Sequence, residues 1–338
     1  MYHGRFRGTH YEVGYKWGKL LYERGKSLNY CPTFKLDEKK KAFARECTNE
    51  YAIYFPEILE EIRGIVDGQR LPVETLQTIL FAMYCFELDN RCTCFAFADN
   101  NNIIFGRNSD FLVSLEKLYM NCIYDLKGSY AFNGNTTAYV EMEDGVNSKG
   151  LAAGLTFVYP YLRKPGLNAG MLVRYILEKC STVEEAIEHL RKLPIASAQT
   201  ITLADKSGDM AVVECNPERL VVIEPKRDEG YVAAANRFNS KEMEKYNNEE
   251  IDDWRSRDRY DTAVNALKAN KDSFSFELAR DILSGKHGFM CQYDRKTNAD
   301  TVWSVIYDLG KGQIWRVEGN PCRKSFKEDI RSNRAFQA

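Results

Sequence analysis

The chain has 338 residues, 44% hydrophobic, 28% charged and 12% aromatic, an ordinary globular composition with length enough for one large core or two modest ones. Its net charge of −1 sets up no field toward nucleic acid or an anionic membrane. No apolar run is long enough to span a bilayer, and the opening MYHGRFRGTHYEVGYKWG lacks the apolar core of a secretory signal, so the expectation is a cytoplasmic protein with no membrane partner.

Residues 1–90 read as helical. Apolar and aromatic residues recur at helical spacing from Tyr11 to Arg24. A charged stretch from Leu36, with the solvated basic run Lys39-Lys40-Lys41, leads into YAIYFPEILEEIRGIVDG. Pro72-Val73-Glu74-Thr75 then opens a third helix through LQTILFAMYCFEL. No strand signal stands out here.

At residues 90–92 the pattern switches. CTCFAFAD, a polar Asn100-Asn101-Asn102 tip and IIFGRNSD read as a β-hairpin. Strands KLYMNCIYDL, TTAYVEME and LAAGLTFVY follow, the last after a turn over Gly145–Gly150. Two helices come next, NAGMLVRYILEKC and a segment whose Ser181-Thr182-Val183-Glu184 fits a capping box. A hairpin across Asp205–Asp209, strands RLVVIEP and YVAAAN, helices over 253–268 and 275–285, and closing strands TVWSVIYDL and QIWRVEG complete the chain. Hairpins alternating with separated helix blocks predict an α+β fold, two antiparallel sheets between helical layers. The organisational boundary is the helix-to-strand switch at residues 90–92, which closes the helical leader.

Ten cysteines are scattered and four histidines lie far apart, which fits reduced thiols and argues against structural zinc. Chemistry concentrates in the hairpin. The start of its first strand lies beside the end of its second, so Cys92 comes near Arg107–Asp110. A guanidinium beside a thiol favours the attacking thiolate, and Asp110 could hold an ammonium. Cys94 shares the face of Cys92. Taken alone, both cysteines read more readily as small buried strand residues. His287 is a candidate for a papain-like dyad or for a plain cap. Phe157, Tyr159, Tyr161 and Phe238 flank the region as pocket wall or core.

The stretch CTCFAF…IIFGRNSDF resembles the start of the catalytic chain in the choloylglycine hydrolase and penicillin acyltransferase family, the autoproteolytic peptidase C45 group of Ntn hydrolases. RGTHYEVGYKWG, GVNSKGLAAGLTF, TITLADKSGDMAVVE and TVWSVIYDLGKGQIWRVEGNPC extend the likeness in order along the chain. The resemblance implies a four-layer αββα sandwich and self-cleavage between Arg91 and Cys92. Cys92 would then attack an amide carbonyl with its freed α-amine as base, so no cofactor or metal is called for. It assigns Asp110 to orient that amine, Arg107 to sit by the thiol, Asn236 to donate to the oxyanion, and Arg259, with Arg257 as the competing alignment, to support the nucleophile. Thr156 stands where bile-salt hydrolases carry an asparagine, leaving that oxyanion donor to its hydroxyl or to backbone N–H groups. Arg91 replaces a frequent glycine. Cys94, where the family has Thr or Ser, is read as pocket floor.

The implied activities are hydrolysis of a small acylated amide or peptide and acyl transfer to an amine from a donor such as acyl-CoA. A non-catalytic binder of acylated ligands is the third reading. A homo-oligomer stays open.

Overall fold

The structure, a computed structural model, describes residues 1–29, 35–86 and 91–331. Asn90, Cys31 and the end of the expected third helix fall outside them. The leader opens on a strand, β1 (Tyr2–Gly8), then α1 (His10–Glu23), α2 (Glu38–Tyr54), α3 (Pro56–Gln69) and α4 (Val73–Ala82). Thr9 and Glu12 form a capping box on α1, and Pro56 sits in the first turn of α3, where its missing N–H is harmless. The two helices touch backbone to backbone: a Cβ on Gly14 or Gly18 would lie 2.2 Å from the carbonyl oxygen of Glu61 or Ile65.

Beyond the leader come β2 (Arg91–Ala98), β3 (Ile103–Leu112), β4 (Met120–Leu126), β5 (Phe132–Thr136), β6 (Asp144–Asn147) and β7 (Ala152–Phe157). Helices α5 (Ala169–Lys179) and α6 (Val183–Lys192) precede β8 (Gln199–Ala204), β9 (Met210–Cys215), β10 (Leu220–Ile223) and β11 (Tyr231–Ala234). The remainder is α7 (Ser256–Ala269), α8 (Phe276–Leu283), β12 (Ala299–Asp308), β13 (Gln313–Val317) and β14 (Lys327–Glu328). One sheet has the order β1-β4-β5-β6-β7-β8-β9-β10 and the other β11-β2-β3-β12-β13-β14.

The sheets pack face to face through β2 against β7 and β8, with α5 and α6 outside one and α7 and α8 outside the other. This is the expected αββα order. Strand β2 shows why: Cys94 and Ala96 face the inter-sheet core, while Phe95 and Phe97 alternate to the helical side. Burying each such phenylalanine stabilises by roughly 1.5–3 kcal/mol.

Five local expectations change. The leader is not all helix, because β1 pairs in parallel with β4 from Tyr2↔Met120 to Gly8↔Leu126. It is an edge strand of mixed polarity whose partner lies over a hundred positions away, so no local pattern announces it. TTAYVEME is not a strand: the chain turns between β5 and β6, with Tyr139 left-handed at φ 59°. Likewise Gly145–Asn147 belong to β6 rather than to a turn. Helix α4 ends at Ala82 because the side-chain amide of Asn168 binds the carbonyl oxygens of Leu80 and Met83, and Tyr84 turns left-handed at φ 61°. The cap of α6 is Thr182, whose hydroxyl accepts from Glu185 N, one residue later than the expected box.

Candidate active site

Register builds the site. Arg91 lies opposite Asp110, Cys92 opposite Ser109, and Cys94 opposite Arg107 on the β2–β3 ladder. On the other flank Ala234 pairs with Cys94, so Asn236, two residues on, comes level with Cys92. Helix α7, packed on β2 and β11, sends Arg259 into the same place. Cys92, Arg107, Asp110 and Arg259 are fully buried and Asn236 is nearly so.

Each polar atom of Cys92 is held. Arg107 Nη2 donates to Sγ at 2.7 Å, Cys92 N donates to Asn236 Oδ1 at 2.8 Å, and Arg259 Nη1 donates to Cys92 O at 2.5 Å. Arg259 also donates to Asn236 Oδ1 (2.9 Å) and to Thr93 Oγ1 (2.9 Å), and its Nη1 lies 3.7 Å from Asp110 Oδ2. Asp110 accepts from the hydroxyls of Thr301 (2.6 Å) and Tyr293 (2.9 Å). Burial raises the Asp110 carboxyl to about 6, against the pull of Arg259 and both hydroxyls.

The thiol departs from expectation. Burial pushes Cys92 well up, and Arg107 beside it does not overcome that. Cys94 is likewise pushed up by burial to about 12.

Two carboxylates that the sequence did not flag complete the site. Asp144 accepts from Arg107 Nη1 (2.8 Å), Trp303 Nε1 (2.9 Å), Tyr307 OH (2.6 Å) and Asn135 Nδ2 (2.5 Å). Glu143 accepts from Arg107 Nη2 (3.2 Å), Ser109 Oγ (3.0 Å) and Thr137 Oγ1 (2.6 Å). Together they fix the guanidinium that touches Sγ. Their one sequence signal is acidic residues inside a run with a strand-like apolar pattern.

Other expected residues sort by geometry. The Thr156 hydroxyl donates to Ala235 O at 2.6 Å and meets Thr200 Oγ1 at 2.6 Å, so its single proton is already engaged. Asn236 Nδ2 donates to Phe157 O at 2.7 Å, and with Oδ1 taking two donors the amide orientation is fixed by its partners. Arg257 is exposed on the outer side of α7, and His287 is exposed past α8. Phe157 and Tyr159 line a cleft at Arg91 and Asn236; Phe238 packs in a separate small cluster, and Tyr161 is 54% exposed.

A metal-like cluster lies elsewhere, where His10, Glu61 and Glu178 converge. Its carboxylates already bind Arg174, through Nη2 to Glu61 at 2.6 Å and Nε to Glu178 at 2.5 Å. The group therefore works as an ion-pair network joining leader to α5. No helix among the described residues is long and apolar enough to cross a membrane.

An αββα sandwich with a cysteine at the head of a central strand, flanked by arginine and aspartate, is the Ntn-hydrolase class of fold. Comparison with known proteins narrows the class: residues 97–323 match the model of the acyl-coenzyme A:6-aminopenicillanic acid acyl-transferase family, and the chain belongs to that family. The match takes in Arg107, Asp110, Asn236 and Arg259 and starts just past Cys92. A penicillin V acylase of Pectobacterium atrosepticum is 32% identical over 25% of this chain and 27% of its own length, so the chain spans little more than a quarter of that relative. Among solved structures, an N-acylethanolamine-hydrolyzing acid amidase ortholog of Caenorhabditis elegans superposes with TM-score 0.49 at 19% identity, over 65% of this chain and 93% of that one. Penicillin V acylase of Agrobacterium tumefaciens gives TM-score 0.47 at 19% identity, over 67% and 83%.

Proposed function

We propose that the chain is a self-processing amide hydrolase whose nucleophile is Cys92 and whose substrates are linear amides of small acylated molecules or peptides. The observation that carries this reading is the separate support given to the three polar atoms of Cys92: sulfur by Arg107, nitrogen by Asn236, carbonyl oxygen by Arg259. A merely structural cysteine has no need of such a frame.

In the first turnover Cys92 Sγ adds to the carbonyl carbon of Arg91, and the C–N bond to its own nitrogen breaks. Water releases the thioester, leaving a small subunit, 1–91, and a catalytic chain, 92–338. The freed α-amine, ordinarily of pKa about 7.7–8, is then the base for Sγ. Asp110 steadies the ammonium that forms, and Asn236 and Arg259 hold nitrogen and backbone in register. The second proton of Asn236 Nδ2 and nearby backbone N–H groups serve the oxyanion. Donors of this kind contribute about 10²–10³ in rate. The scheme needs no cofactor. No disulfide joins the described cysteines, which fits the reducing cytoplasm proposed as its compartment.

A second reading rests on the family's own description: an amine in place of water intercepts the thioester, making the protein an acyltransferase that draws on a donor such as acyl-CoA. Product analysis with and without added amines separates the two. Mass spectrometry of the purified protein tests the shared core. Fragments 1–91 and 92–338 are expected from the wild type and a single intact chain from Cys92→Ala. An uncleaved wild type that turns over amides at full rate sinks the scheme, and a chain that never forms an acyl-enzyme favours the binding protein.

A further inference from the structure

The residue ahead of the nucleophile is itself seated. Arg91 is 4% exposed, although it is a long cation at the start of a strand. Its Nη2 donates to Asp252 O at 2.7 Å, and its guanidinium carbon lies 5.9 Å from the centre of the Trp254 ring. The surrounding cleft is also lined by Phe157, Tyr159, Asn247 and Asp253, and with Arg91 in place only about 10 Å³ is left, room for one water. Arg237, the other cation among the described residues of the wall, is paired with Glu249 and with Asp253 (3.5 Å). The Asp252 carbonyl and the Trp254 ring face thus both turn their negative side to the guest.

The seat is fastened to the nucleophile. Trp254 and Arg255 are left-handed in succession, φ 51° and 60°, a conformation that non-glycine residues keep only when their surroundings impose it. Arg259 imposes it, donating from Nη2 to Asp253 O at 2.9 Å and from Nε to Trp254 O at 3.1 Å while its Nη1 holds Cys92 O. One side chain therefore sets the distance between seat and thiol.

Self-processing makes Arg91 the first acyl group that Cys92 receives. A later substrate must bring its carbonyl carbon to the same sulfur, so its acyl side chain lies where that of Arg91 lay. We propose that the cleft holding Arg91 is the acyl-side subsite of the processed enzyme and that it selects acyl groups carrying a guanidinium or ammonium, as in amides of N-blocked arginine. This rests on the self-processing reading above. Cys92 Sγ bonds to the acyl carbon, the C–N bond breaks, and the thiol proton leaves on the amine. Water then adds to the thioester, returns a proton to sulfur and frees the acid.

The test uses the processed protein with Nα-acetyl-L-arginine 4-nitroanilide, its citrulline counterpart, and a panel of neutral and acidic acyl anilides. Citrulline keeps the shape and removes the charge. The expected kcat/KM is about tenfold higher for arginine than for citrulline. Cys92-dependent turnover of any of these amides with a ratio of threefold or less, or with neither compound accepted, overturns the subsite and leaves the hydrolase reading standing. A chain that stays uncleaved, or one that acylates Cys92 with none of the panel, overturns both.

Discussion

Arg259→Lys is the most informative single substitution. The guanidinium is fully buried and serves five acceptors: Cys92 O, Thr93 Oγ1, Asn236 Oδ1, Asp253 O and Trp254 O. Lysine keeps the charge, but a single ammonium cannot span that fork, so at least two buried acceptors lose their donor. At about 1–3 kcal/mol each, the variant should be destabilised by roughly 2–6 kcal/mol, read as a shift in urea midpoint at unchanged slope. The measurement belongs in a Cys92→Ala background, so that both chains stay in one piece. In the cleavable background, Asn236 and the Arg91 seat lose their common brace, and the rate of appearance of fragment 92–338 should fall about 10²-fold, the penalty of a misplaced reacting group. A variant within about 1 kcal/mol of its parent that also cleaves at the parental rate refutes the idea that this guanidinium organises the site.

Asp110→Asn, again on Cys92→Ala, tests the raised carboxyl. A buried acid moved from 3.8 to about 6 imposes no penalty well below pH 4 and its full penalty above pH 6, so its removal should help the intact chain more at pH 7.5 than at 4.5, by about 2 kcal/mol. Equal effects at both pH values, by chemical denaturation, tell against a raised Asp110 carboxyl. Burial would raise Glu178, yet Arg174 and His10 outweigh it and hold it to about 2. Arg174→Leu strands Glu61 and Glu178, should cost about 3–5 kcal/mol, and should loosen fragment 1–91 from 92–338 on gel filtration after processing; unchanged stability and co-elution would show that the network does not tie the leader. Cys94→Ser should process within about threefold of wild type by mass spectrometry, since its sulfur only lines the core beside Arg107. Abolished cleavage there, with Cys92→Ala still cleaving, would move the nucleophile to Cys94.

By itself the sequence determined what short-range pattern can carry. Alternation and a polar tip gave the β2–β3 hairpin, and its register put Cys92 beside Arg107 and Asp110, since antiparallel pairing needs no distant partner. Asn236 and Arg259 were legible only through family motifs, because nothing local ties them to Cys92. Tertiary structure alone decided the rest. Strand β1 exists because β4 offers it an edge. Asp144 and Glu143 matter because folding carries them onto Arg107 from the opposite sheet. The upward push on the Cys92 thiol comes from burial, which a residue acquires only when both sheets close over it, and it opposes the pull of a guanidinium 2.7 Å away.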